Sequence, residues 1–182
     1  MKSINPSQVT FSPISVDRLD KGDTREALFA LDFECQYATS KPFTSGTGVG
    51  AVALGIKVST SSALAAANEG LRNANGGVSN LLWDQYEQPE YTQGVGIRIH
   101  RVVSGNLLEM NLLTTENSVS SLAPANASMM GWYPVLEGLA NDGSTPYRQF
   151  RRTFTARLEK LPGGEPTPGR VDATAQVLIR IQ

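Results

Sequence analysis

The chain has 182 residues, of which 40% are hydrophobic, and a formal net charge of −1. This size fits one domain with its own core, and the near-neutral charge argues against nucleic acid as an obligate partner. No apolar run is long enough to span a bilayer, and residues 1–6 lack the apolar segment of a signal peptide. The single cysteine, Cys35, excludes a structural disulfide within the chain.

Alternating apolar residues predict short strands in the first half of the chain. Residues 8–16 partly alternate, but Pro13 cannot donate a ladder hydrogen bond and indicates an edge or a break. Residues 27–35 alternate strictly, with Asp32 and Glu34 on the polar face. Residues 49–58 predict a glycine-rich strand. Residues 61–71 are the one convincing helical stretch, and the Asn- and Gly-rich residues 73–77 end it.

The second half repeats the strand pattern around a long irregular region. Strands are predicted over residues 93–103, 107–113, 150–158 and 171–181, with a turn at 105–106. Residues 114–146 are polar, rich in glycine and without a clear pattern, and we expect a long irregular loop region there. No linker divides the chain, so a single domain over residues 1–182 is predicted. Roughly seven short strands separated by turns are typical of an antiparallel sandwich.

The last strand has the most regular alternation, and the chain stops one residue after it. Its apolar face carries no charged residue that would protect an exposed edge. The pattern leaves two interpretations open. The strand either packs inside the sheet in the ordinary way or pairs with a strand from another chain.

Residues capable of catalysis or metal binding are sparse. The one histidine, His100, lies on the predicted polar face of its strand, where we expect it to be exposed. It cannot be combined with other residues into a triad or a metal site, so no enzyme activity, cofactor or metal is predicted. A late segment concentrates arginines, which predict a solvated strand face or, alternatively, a docking surface for an acidic partner. These residues are Arg148, Arg151, Arg152 and Arg157.

Aromatic residues in the unassigned regions allow two interpretations. Trp83, Tyr86 and Trp132 either fill the ends of the sandwich or present rings that stack on a glycan. The second interpretation makes them candidate receptor contacts.

Several segments resemble pilins of the chaperone–usher pathway. They are residues 29–35, which end in Cys35, and residues 94–99, 154–158 and 168–182. Gly169 is the fourteenth residue from the C-terminus, where the family tends to have a glycine. Two features depart from the family pattern: Ile181 stands where a tyrosine is usual, and no cysteine precedes the first strand.

The resemblance implies an all-β fold, an incomplete immunoglobulin-like sandwich that lacks its C-terminal, seventh strand and is completed by a donor strand. The implied function is that of a structural subunit of an adhesive fimbria, with a glycan-binding adhesin module as the alternative. The implied partners are a periplasmic chaperone, an outer-membrane usher, neighbouring subunits and, for the adhesin, a host glycan. The implied location is the periplasm during assembly and then the fimbrium at the cell surface.

The resemblance also places a groove for the donor strand and the chaperone between the first and last strands. The residues expected to line it are Val9, Phe11, Ile14 and Val16 on one side, and Gly169, Val171, Val177, Ile179 and Ile181 on the other.

Overall fold

The computed structural model describes residues 3–36, 52–115, 131–135 and 147–181, and this part of the chain contains eight strands and two helices. Neither helix has the length and apolarity needed to cross a bilayer. The elements in chain order are β1 (Ser3–Asn5), α1 (Val16–Asp20), β2 (Arg25–Gln36), β3 (Val52–Val58), α2 (Thr60–Asn68), β4 (Val95–Val103), β5 (Asn106–Glu109), β6 (Tyr133–Pro134), β7 (Tyr147–Lys160) and β8 (Ala175–Ile181).

A five-stranded antiparallel sheet has the order β1-β2-β7-β4-β5. Its centre is the long pairing of β2 with β7, which runs from Arg25 opposite Leu158 to Gln36 opposite Tyr147. The alternation predicted for these strands is present, because Phe29 and Phe154 are buried on one face and their rings stack with centroids 5.1 Å apart.

A smaller antiparallel sheet has the order β6-β3-β8. Leu54 and Ile56 of β3 are buried and belong to the same apolar core as Phe33 and Phe154 of the larger sheet. The chain is therefore an all-β sandwich, as the sequence predicts.

Both helices contribute buried side chains to the core, Leu19 from α1 and Ala65 and Ala66 from α2. Helix α2 begins after Ser59, whose hydroxyl accepts a hydrogen bond from the Ser62 N–H at 3.0 Å. It ends earlier than predicted because Gly70 takes a positive φ of 72° and turns the chain. Helix α1 was not predicted; it inserts the buried Leu19 under the end of the sheet.

One predicted strand is absent from the structure and another is shorter than predicted. Residues 6–14 form no strand, and the last strand starts at Ala175 instead of residue 171. A strand requires a hydrogen-bonded neighbour as well as alternation, and within the described residues these two stretches have none. Strand β6 lies inside the region expected to be irregular, and residues 116–130 and 136–146 of that region lie outside the described residues.

Candidate functional site

An open groove runs along the side of the sandwich and has a volume of about 770 Å³. Residues 7–14 and 16 form its N-terminal wall, and residues 167–169 and 171–175 form its C-terminal wall. The floor is apolar and consists of core side chains from α1, β4 and β7. These are Leu19, Val95, Ile97 and Leu158.

Both walls turn alternate apolar side chains towards the core. On the N-terminal wall Val9 and Phe11 are half-buried, and Thr10 between them is exposed. On the C-terminal wall Val171 and Ala173 are half-buried, and Asp172 is exposed. This is the alternation of β-strands whose inner face is only partly covered. The groove therefore has the shape and polarity of a sandwich from which one strand is absent.

The backbone along the groove offers unpaired hydrogen-bonding groups. Within the described part of the chain, residues 6–14 and 171–174 take part in no hydrogen bond between two backbone groups, although the Pro13 carbonyl accepts one from the Arg25 side chain at 3.4 Å. Strand β8 continues the C-terminal wall and pairs with β3 on one side, so its other side is an edge of the described sheet. Such edges are templates for the addition of another strand.

Gly169 closes one end of the groove through a close backbone approach. The Thr92 N–H donates to the Arg170 carbonyl at 3.1 Å, and the Arg170 N–H donates to the Glu90 carbonyl at 3.0 Å. A Cβ atom on Gly169 would lie 2.4 Å from the backbone nitrogen of Thr92. A side chain at position 169 would therefore force the two segments apart.

The structure brings together most of the residues expected around the groove. Val9, Phe11, Ile14, Val16, Gly169 and Val171 line the cavity. Val177 and Ile179 lie further along β8, partly buried against the core, and the side chain of Ile181 lies outside the described residues. Ala173 and Ala175 also line the cavity, and their position on the apolar face of the last strand was the available signal. Nothing in the sequence indicated that the floor residues would line the groove, because this depends on how α1, β4 and β7 pack relative to the two walls.

The aromatic residues considered as glycan contacts lie inside the protein. Trp83, Tyr86 and Trp132 are 0%, 3% and 2% exposed. The Tyr86 hydroxyl accepts a hydrogen bond from the Gly94 N–H at 2.7 Å, and burial raises the pKa of Tyr86 to about 12. Stacking on a sugar needs an accessible ring face, so the candidate glycan role does not fit these positions.

His100 is buried and not exposed as expected, with 4% of its surface accessible. It lies on the outer face of the five-stranded sheet, among charged side chains of β4, β5 and β7. The pKa of His100 is lowered mainly by burial and secondly by the positive charge of Arg157. No cluster of metal-ligating side chains occurs among the described residues.

The late arginines divide between the two faces of β7. Arg151 pairs with Asp32 at 3.1 Å and Arg157 pairs with Glu26 at 2.7 Å, so both are engaged within the sheet. Arg152 is 9% exposed, and burial lowers its pKa, which is a correction to the expected solvated face. The side chain of Arg148 lies outside the described residues.

The chain was compared with protein-family models, curated proteins and solved structures. The family model described as "Fimbrial protein" matches residues 2–182. The crystal structure of the P pilus rod subunit PapA is similar at 14% sequence identity and a TM-score of 0.43, covering 99% of this chain and 90% of that chain. No curated protein matches the chain. Because the family model spans nearly the whole sequence, the chain belongs to the fimbrial protein family.

Proposed function

We propose that this fimbrial subunit accepts an extended β-strand from another chain in its groove. The strand comes first from a periplasmic chaperone and then from a neighbouring subunit. The observation that carries the proposal is the groove itself, a trough of about 770 Å³ with an apolar floor between two backbone edges. A strand seated there would pair with the edges and fill the trough with alternate side chains.

The energy of filling the groove is large compared with the stability of a domain. Burying about five apolar side chains at about 1.5–3 kcal/mol each gives on the order of 10 kcal/mol before ordering costs. Whole domains are stable by about 5–15 kcal/mol. We therefore expect the empty subunit to be unstable or prone to aggregation, which would require a chaperone in the periplasm before delivery to the outer-membrane usher.

This is a structural and assembly role and not a catalytic one. The lining combines an apolar floor with walls whose polar members are chiefly Ser, Thr and Gln, together with one carboxylate, the exposed Asp172, and this composition supports strand binding. The alternative of a glycan-binding adhesin receives no support from the rings predicted for it, because Trp83, Tyr86 and Trp132 are buried.

The test is the binding of a synthetic donor peptide with apolar residues at every second position. We expect the refolded chain to become a cooperatively melting monomer when this peptide is present and to aggregate without it. A control peptide has the same composition with the apolar residues in one block, because that order cannot place alternate side chains in the groove.

A matched pair of variants locates the binding. Val171→Lys places a charge in the groove, and Leu28→Lys also introduces a lysine, at a side chain of β2 that is 64% exposed and lies outside the groove lining. Only Val171→Lys should abolish peptide binding. A stable monomer without peptide, or equal effects of the two variants, would contradict the proposal.

A further inference from the structure

We infer that the outer edge of β5 is a second assembly surface, where β5 of another copy of this chain pairs with it in the antiparallel direction. This surface is separate from the groove, because β5 lies at the edge of the five-stranded sheet and the groove walls lie beside β8. The inference is argued from other residues than the donor-strand proposal, although its sedimentation test uses the peptide-bound protein and so rests on that proposal.

The hydrogen-bonding pattern shows which backbone groups of β5 are available. A tight turn at Ser104 and Gly105 joins β4 to β5 and places Val103 opposite Asn106. At the other end the Met110 N–H donates to the Ile99 carbonyl at 2.9 Å. Inward and outward bonding alternate along an antiparallel strand. The N–H and C=O groups of Leu107 and Glu109 therefore point away from β4, towards solvent.

The side chains of β5 are unusual for an edge strand. Leu107 is 45% exposed and Leu108 is 38% exposed, and they are two of the four large hydrophobic residues that are exposed in the described part of the chain. Natural edges are commonly protected by lysine, proline or a covering segment. Strand β5 has the sequence Asn-Leu-Leu-Glu, and all its residues are exposed. Within the described residues no lysine, proline or covering segment protects this edge, and its two leucines, on opposite faces of the strand, are exposed.

The backbone of β5 can pair with the β5 of a second copy in a symmetric antiparallel register. In an antiparallel pair centred on Leu108, Leu107 of one copy exchanges its outward backbone bonds with Glu109 of the other, and the reverse pair does the same. Leu108 then lies opposite the Leu108 of the second copy. Glu109 already contacts Arg98 at 3.0 Å, so its charge is balanced within its own sheet. The sheets of the two copies would join across the axis.

Cross-linking tests the register directly. Opposite residues in a non-hydrogen-bonded antiparallel pair have Cα atoms about 4.5 Å apart, which is within the range of a disulfide. In a background with Cys35→Ser, Leu108→Cys should form a disulfide-linked dimer under mild oxidation. Leu107→Cys is the matched control and should cross-link poorly, because in this register it lies opposite position 109.

Sedimentation equilibrium tests the surface, with the groove filled by donor peptide so that its edges cannot associate. We expect dimers with a dissociation constant on the order of 0.1–1 mM, as for a small interface. Leu107→Pro removes an outward N–H that β4 does not use, and Leu108→Lys adds a charge to the edge. Each should weaken dimerisation about tenfold or more.

Leu64→Lys is the control for the second measurement, because Leu64 is 63% exposed on α2, outside the sheet edge. It should leave dimerisation unchanged. The inference is overturned if the wild type stays monomeric and Leu108→Cys gives no dimer. It is also overturned if Leu64→Lys weakens association as much as Leu108→Lys does.

Discussion

Replacement of Gly169 by alanine should loosen the end of the groove. The new Cβ would lie 2.4 Å from the nitrogen of Thr92 and 2.5 Å from the carbonyl carbon of Tyr91. Both are backbone atoms, which cannot move aside as the tip of a flexible side chain can. The segments must separate, which breaks the hydrogen bonds between Thr92 and Arg170 and between Arg170 and Glu90.

The expected magnitude follows from these contacts. Two backbone hydrogen bonds contribute about 0.5–1.5 kcal/mol each, and overpacking costs about 1–3 kcal/mol, part of which the separation relieves. We expect Gly169→Ala to lower the free energy of unfolding by about 2–4 kcal/mol. Donor-peptide affinity should fall as well, because the displaced residues form the groove end.

Urea denaturation of the peptide-saturated protein measures the first effect, and peptide titration measures the second. The control is Gly163→Asn in the same loop, where a Cβ would meet no atom within 4 Å. Asparagine tolerates the positive φ of 73° at that position, so a loss below about 1 kcal/mol is expected. A Gly169→Ala protein within about 0.5 kcal/mol of the wild type would refute the close-packing argument.

Two further predictions concern the outer face of the five-stranded sheet. Burial, with Arg157 as the second cause, lowers the pKa of His100 below 6.5, so the unfolded chain binds the proton more readily. The contribution of His100 to stability should be fully present above about pH 6.5 and should fall as the pH drops towards the folded-state pKa. The free energy of unfolding should therefore differ less between pH 7.5 and pH 5.5 in His100→Gln than in the wild type. An equal difference in the two proteins would contradict the assignment. Arg98→Met should cost about 2–4 kcal/mol in urea denaturation, because the 17% exposed side chain of Arg98 donates to Glu159 at 2.8 Å. Its removal takes the cationic partner from that carboxylate and leaves the Asn80 amide, which donates to it at 3.3 Å. Lys21→Ala breaks an exposed pair with Asp17 and should cost less than about 1 kcal/mol; similar costs for the two variants would show that burial does not matter here.

The central strands of the larger sheet could be predicted from the sequence. The strict alternation of residues 27–35 and the alternation of residues 150–158 correspond to β2 and β7, which bury Phe29 and Phe154 on the core side. A period of two that is this regular is satisfied only by a strand with one covered face. The same periodicity put Val9, Phe11 and Val171 on apolar faces, and the resemblance to pilins assigned them to a groove.

Other properties depended on which elements became neighbours. Residues 6–14 and 171–174 alternate like strands, but they remain without strand pairing because the described chain places no strand between them. His100 was expected to be exposed from its place on the polar face. It is buried because Glu109 of β5 and Thr155 of β7 lie opposite it on its two sides, with Arg157 close by.

The sequence by itself therefore determined the family, the all-β class and the side of each main strand that faces the core. The family follows from the resemblance of several segments to pilins, and the class and the core-facing sides follow from periodicity, which is a property of short segments. The tertiary structure decided that Trp83 and Trp132 are buried, that Gly169 approaches Thr92, and that β5 ends the sheet with exposed leucines. Burial and edge position depend on contacts between segments far apart in the chain, and no local pattern encodes them.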